Sequence, residues 1–188
     1  LWVKMYSENP YDNAEIKQGV YAWAWGLKNP PIGQRDIVVT TTNGEKVSMA
    51  GISSSWFGVS QGSPAATGPT TVIQPRKAEY DSNSLAVNLS GFTFPNDTPG
   101  QVVIDFMSTD AGSSQCDLVP GSRQTLLDST KAKQKNSAIA IAMSQKTNPS
   151  SPLSTSWNIN NCRTDSTLSK SEYLYGILRL NPAQIATP

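Results

Sequence analysis

Any acid–base chemistry in this sequence has to come from carboxylates, because its 188 residues include no histidine. Histidine is the usual general base near neutral pH and the commonest metal ligand. Its absence removes Ser-His-Asp and Cys-His relays and every His-ligated zinc or non-haem iron site. Two carboxylates can still hydrolyse a glycoside between them, and three acids have a context that bears weighing. Asp105 stands alone in the apolar run Val102-Val103-Ile104-Asp105-Phe106-Met107; the simpler reading is a hydrogen-bonded or partly exposed strand residue. Glu79 and Asp81 flank Tyr80, so in an extended chain both acids share one face. With the ring they could hold a sugar or a cation, although a solvated loop explains them more simply. Asp110-Ala111-Gly112 and Asn96-Asp97 lack the spacing of a calcium loop. Gly58-Val59-Ser60-Gln61-Gly62-Ser63 lacks the lysine and the strand–helix context of a phosphate loop. The sequence therefore predicts no catalytic residue, no metal site and no cofactor.

Cys116 and Cys162 are the two cysteines. They are open to two readings, one disulfide or two separate buried thiols. No CxxC spacing points to metal or redox work. Both lie in polar, loop-like sequence, Ser113-Ser114-Gln115 and Asn160-Asn161, where a buried free thiol is less expected. A disulfide between them is the expectation, in an extracellular or surface-exposed setting where such a bond persists.

Aromatic residues in polar loops are the other candidates. Trp56-Phe57 follows Ser53-Ser54-Ser55 and precedes a glycine-rich stretch. Rings set among Ser, Gly and Asn recur on binding surfaces, because they bury area with little loss of rotamer freedom. The alternative is that Trp56 closes one end of the core. Trp157, beside Asn158 and Asn160, is a second candidate contact residue, and Tyr80 a weaker one. Lys131-Ala132-Lys133-Gln134-Lys135 is a small basic patch, read as a solvated turn. Asn88-Leu89-Ser90 and Asn96-Asp97-Thr98 match the N-glycosylation pattern, and Asn88 could carry a glycan only if its strand face is open.

The elements that must position these residues read as strands. Thirteen glycines and thirteen prolines interrupt the chain at short intervals, and apolar residues alternate more often than they recur at helical spacing. Asn43-Gly44 between Arg35–Thr42 and Glu45–Ile52 predicts a hairpin, since both turn positions of type I′ need positive φ. In Gly19–Leu27, Tyr21, Trp23 and Trp25 share one face and Val20, Ala22 and Ala24 the other. Further strands are expected at Leu1–Tyr6, Thr70–Gln74, Ser84–Ser90, Gln101–Thr109, Ser137–Ser144 and Tyr173–Leu180. Ser122–Lys135 is the most plausible helix, weighed against a short strand and a loop. Long polar loops are expected at 53–69, 75–83, 110–123 and 145–156. The pattern is an all-β antiparallel sandwich or barrel with long loops, a single β domain spanning 1–188. Its strand-like opening at Leu1 reads as a segment of a longer protein.

Charged residues make up only 15% of the chain and the net charge is +1, which offers no electrostatic footprint for nucleic acid or anionic lipid. No apolar run approaches the roughly 20 residues that span a bilayer.

The low charge, the long Ser/Thr/Asn/Gln-rich loops and the all-β pattern together resemble a receptor-binding spike or protruding domain of a non-enveloped virus capsid protein. Leu1-Trp2-Val3-Lys4-Met5, leading to Tyr11-Asp12-Asn13, is similar to the opening strand of astrovirus- and hepevirus-like spikes. This likeness covers about a dozen residues and carries over no functional motif. It implies a homodimeric β domain on the virion surface that binds a host-cell receptor, protein or glycan, and is recognised by antibodies. Two other classes compete: a bacterial fimbrial adhesin or pilin-like subunit at the cell surface, and a carbohydrate-active enzyme working with carboxylates alone.

Overall fold

The computed structural model describes residues 2–8, 22–27, 30–34, 36–40, 49–59, 76–78, 84–92, 99–110, 116–134, 137–147, 153–162 and 171–183. Ten strands and no helix fall within them. In chain order they are β1 (Trp2–Glu8), β2 (Ala22–Leu27), β3 (Arg76–Ala78), β4 (Ser84–Phe92), β5 (Val102–Asp110), β6 (Asp117–Pro120), β7 (Thr125–Gln134), β8 (Ser137–Thr147), β9 (Leu153–Asn160) and β10 (Ser171–Leu180). All ladders are antiparallel. One sheet runs β3-β10-β5-β8-β7, a second runs β4-β9-β6, and β1 and β2 form a two-stranded ribbon. The five- and three-stranded sheets pack face to face and are not closed on each other, so the architecture is a sandwich and the barrel alternative is set aside.

Alternation in the sequence explains the packing. From β5, Val103 and Met107 point into the sandwich, while Ile104 and Phe106 are buried on the opposite face, as befits a central strand. Gly176 pairs with Phe106 across the β5–β10 ladder, and the ring fills the space a Cβ at 176 would need. On β8, Ala140 and Ala142 face inward, and these small side chains leave room for the large ones arriving from the other sheet. Trp157 and Ile159 of β9, Val87 of β4 and Leu118 of β6 supply that bulk.

Several expectations change. Over Ser122–Lys135 the helix is set aside and the strand alternative stands, longer than expected, as residues 125–134 with a register shift between Leu126 and Asp128 that breaks their periodicity. Lys131 and Lys133 thus lie in an edge strand rather than a turn. β6 and β9 occupy parts of what the sequence presents as polar loops. Residues 36–40 and 49–52, the described flanks of the expected Asn43-Gly44 hairpin, belong to no strand; the turn itself lies outside the described residues. β-propensity alone does not make a strand without a ladder partner. The strand expected at Thr70–Gln74 also lies outside them.

Candidate functional site

Two places gather chemistry, one inside the sandwich and one on its surface. Inside, Asp105 lies on β5 directly opposite Ser144 of β8, and only 1% of it is exposed. Four side chains donate to its carboxylate. The Ser144 hydroxyl donates to Oδ1. Gln124 Nε2 lies at 2.9 Å, Trp157 Nε1 at 3.0 Å and the Tyr175 hydroxyl at 3.4 Å, all from Oδ2. Tyr175 and Thr155 share a further hydrogen bond at 2.7 Å. Both sheets and the β6–β7 turn therefore converge on one acid.

Gln124 is fixed by its own turn. Gly121 N–H donates to the Ser156 carbonyl at 2.8 Å and Gln124 N–H to the Gly121 carbonyl at 3.0 Å. The side-chain carbonyl Oε1 then accepts the Ser156 N–H at 2.7 Å, in effect extending the β6–β9 ladder. A Cβ at position 121 would fall within 2.0 Å of the Ser156 hydroxyl, so a larger residue here would displace that hydroxyl.

Burial pushes the Asp105 pKa up from 3.8 to about 6, against the opposing pull of its four donors. Burial, reinforced by the negative charge of Asp105, also holds the Tyr175 phenol well above its usual range. A raised carboxyl can mark a catalytic acid, but this one is sealed between two sheets and out of reach of a substrate. Asp105 is the hydrogen-bonded strand residue of the simpler reading.

Trp157 is corrected by the same geometry. It is fully buried, donates to Asp105 and anchors the core, so it is not a contact residue. Its asparagine neighbours misdirect the sequence reading, because Asn158 and Asn160 lie on the other face of β9.

At one end of the sandwich, Cys116 and Cys162 are joined in a disulfide, and both are buried. The bond ties the start of β6 to the end of β9. Next to it Asp117 pairs with Lys131 and accepts a hydrogen bond from Asn161, which holds its carboxyl below the usual range. An open cleft of about 420 Å³ lies here, lined in part by Asp117, Lys131, Ser129, Ile141, Asn160 and Asn161. Among the described residues, no three His, Cys, Asp or Glu side chains come together as metal ligands would.

On the surface, residues 49–59 run outside any strand and are tied down at their far end. Val59 bridges to Pro182, and Ala183 N–H donates to the Gly58 carbonyl at 2.6 Å. Trp56 is half-buried, its indole N–H donating to the Ser54 hydroxyl at 2.8 Å. Gly58 takes a φ of +67°, which turns the chain between these anchors. Phe57 is left 98% exposed on the turn. Thus the structure separates the Trp56-Phe57 pair into a half-buried ring and a displayed one. Ile32, at 97% exposure, and Ile37, Val38, Val39 and Met49 add exposed apolar surface in the same part of the sequence. Tyr80, Glu79, Asp81 and Asn96 lie outside the described residues. Asn88 is exposed on β4.

No protein-family model matches this chain, and no curated protein or solved structure matches it significantly.

Proposed function

We propose that this chain is a non-catalytic recognition domain, of the kind carried as a receptor-binding spike on a non-enveloped virion, whose contact surface is built around Phe57. One observation carries the reading: a bulky ring is held almost fully in water on a turn whose next two residues, Gly58 and Val59, are tied to Ala183 and Pro182. Burying such a ring is worth about 1.5–3 kcal/mol, so solvent exposure is unfavourable unless a partner covers it. The position of the chain's best-placed acid supports the same view, since Asp105 is committed to joining the sheets. Host receptors, protein or glycan, and antibodies are the partners this reading names.

The test is a binding screen of the fluorescently labelled domain on cultured cells and on a glycan array, with Phe57→Ala alongside. Saturable binding that falls at least tenfold in the variant, with an unchanged melting temperature, supports the proposal. Turnover of a glycoside panel by the purified domain overturns it.

A further inference from the structure

Where β4 meets β9, the outward side chains are small and mostly polar. They alternate with the buried Val87, Trp157 and Ile159 and so point away from the core. They meet in three cross-strand pairs: Ala86 with Asn158, Asn88 with Ser156, and Ser90 with Ser154. Ser156 is half-buried and the other five are exposed. None of the six carries a charge or a ring, and none is longer than asparagine.

Asn88 sits at the middle of this patch. Asn88-Leu89-Ser90 is an Asn-x-Ser triplet with no proline at its centre, the acceptor pattern for an N-linked glycan. Such triplets arise by chance in a chain rich in serine and threonine, so the pattern alone decides little. The structure adds two observations. Alternation along β4 puts Asn88 and Ser90 on the same exposed face, and the small neighbours of Asn88 leave room for a bulky group on its carboxamide. In addition, Cys116 and Cys162 are joined. Structural disulfides form in the oxidising lumen that secreted chains pass through, the compartment in which glycans are attached to asparagine.

We infer that Asn88 carries an N-linked glycan. In the transfer, the Asn88 carboxamide nitrogen bonds to the anomeric carbon of the first sugar of a lipid-diphosphate-linked oligosaccharide. The bond from that carbon to the diphosphate oxygen breaks, the lipid diphosphate leaves, and the nitrogen gives up one proton. The Ser90 hydroxyl is the part of the triplet that the transferring enzyme recognises, and it is not consumed. The finished glycan stands off the sheet into solvent. Pairing of β4 with β9 is made by the main chain, so the modified side chain leaves the ladder intact.

The glycan and the displayed ring belong to opposite sides of the sandwich. The run that carries Phe57 rests on the five-stranded sheet, where Ser54 contacts Met143. Met143 alternates with the buried Ala142 and Ser144 and so projects from β8 away from the core. Asn88 projects from the other sheet in the other direction. A bulky, solvating sugar there covers the polar face and leaves the Phe57 side open. The inference does not rest on the recognition reading, since it uses none of the residues of that surface.

The experiment is site mapping on the full chain, expressed behind a cleavable secretion leader in cultured mammalian cells. Secreted and cell-retained protein are both treated with peptide N-glycosidase in heavy-oxygen water, which turns a glycosylated asparagine into labelled aspartate, and are then digested for mass spectrometry. Label is expected at Asn88 in the wild type, in Asn96→Gln and in Ser90→Thr. It is expected to be lost in Ser90→Ala, which leaves the asparagine in place, and in Asn88→Gln. Glycosylated wild type and Asn88→Gln are expected to share the disulfide, the far-UV spectrum and the melting temperature, as an outward-facing side chain requires. An unlabelled Asn88 in the wild type overturns the inference, whether or not Asn96 is labelled. So does label that survives Ser90→Ala, and so does a glycosylated chain that has lost its disulfide or its β spectrum.

Discussion

At the scale of residues, Asp105 decides the behaviour of the interior. A carboxyl whose pKa is 3.8 when unfolded and about 6 when folded binds its proton more tightly in the native state. Stability therefore falls as pH rises from below 3.8 to above 6, by about 3 kcal/mol from this group alone. The domain is expected to be more resistant to urea at pH 4 than at pH 7, and Asp105→Asn should flatten that dependence; urea titrations at both values check it. Asp117 acts in the opposite sense, being lowered, but it is 42% exposed and screened by solvent, so its contribution is small. Trp157 gives a second prediction. Trp157→Phe keeps an aromatic ring, smaller than the indole, but removes the N–H donor to Asp105, and the lost donor alone should cost about 1–3 kcal/mol. Trp157→Ala also leaves a cavity in the centre of the core and should cost about 3–5 kcal/mol or more. A loss of receptor binding in Trp157→Phe with no loss of stability would contradict the core assignment.

At the scale of elements, period-two alternation makes β4 and β8 legible in the sequence, and β5 and β10 are legible as apolar runs with two buried faces. Ile139, Ile141 and Met143 against Ala140 and Ala142 on β8, and apolar residues on both faces of β5, needed only the geometry of a strand. β9 carried the same signal in Leu153, Thr155, Trp157 and Ile159, all buried. It was hidden because the other face is Ser and Asn, which read as loop. β7 stands in the sequence only as the short-strand alternative to a helix, because adjacent Leu126 and Leu127, accommodated by the register shift, break the alternation. Nor could local sequence show that Gln124 would reach across to Asp105, since that contact depends on how a turn docks on a distant strand. The disulfide belongs to this scale too. It closes a loop of 46 residues between β6 and β9, and reduction should cost about 4 kcal/mol in the chain-entropy model. Denaturant unfolding with and without a reductant measures that difference.

At the scale of the whole molecule, two sheets are joined by one buried acid and the three-stranded sheet is stapled at one end by a disulfide, while the described residues of 30–34, 36–40 and 49–59, which form no strand, display apolar side chains. The rigid interior and the exposed surface make opposite demands on sequence. The first uses Trp157, Tyr175 and Gln124 to satisfy a buried carboxylate; the second leaves Phe57 unsatisfied. Sequence located Phe57 correctly as an exposed ring, because the surrounding Ser and Gly cannot bury it. It did not separate Phe57 from Trp56, since that depends on the tethers from Pro182 and Ala183. The surface assignment is tested most directly by measuring the affinity of wild type and Phe57→Ala for the same receptor-bearing cells, with melting temperatures recorded in parallel. A recognition surface centred on Phe57 predicts at least a tenfold loss of affinity, about 1.4 kcal/mol, at constant melting temperature. Equal affinity in the two proteins would contradict it.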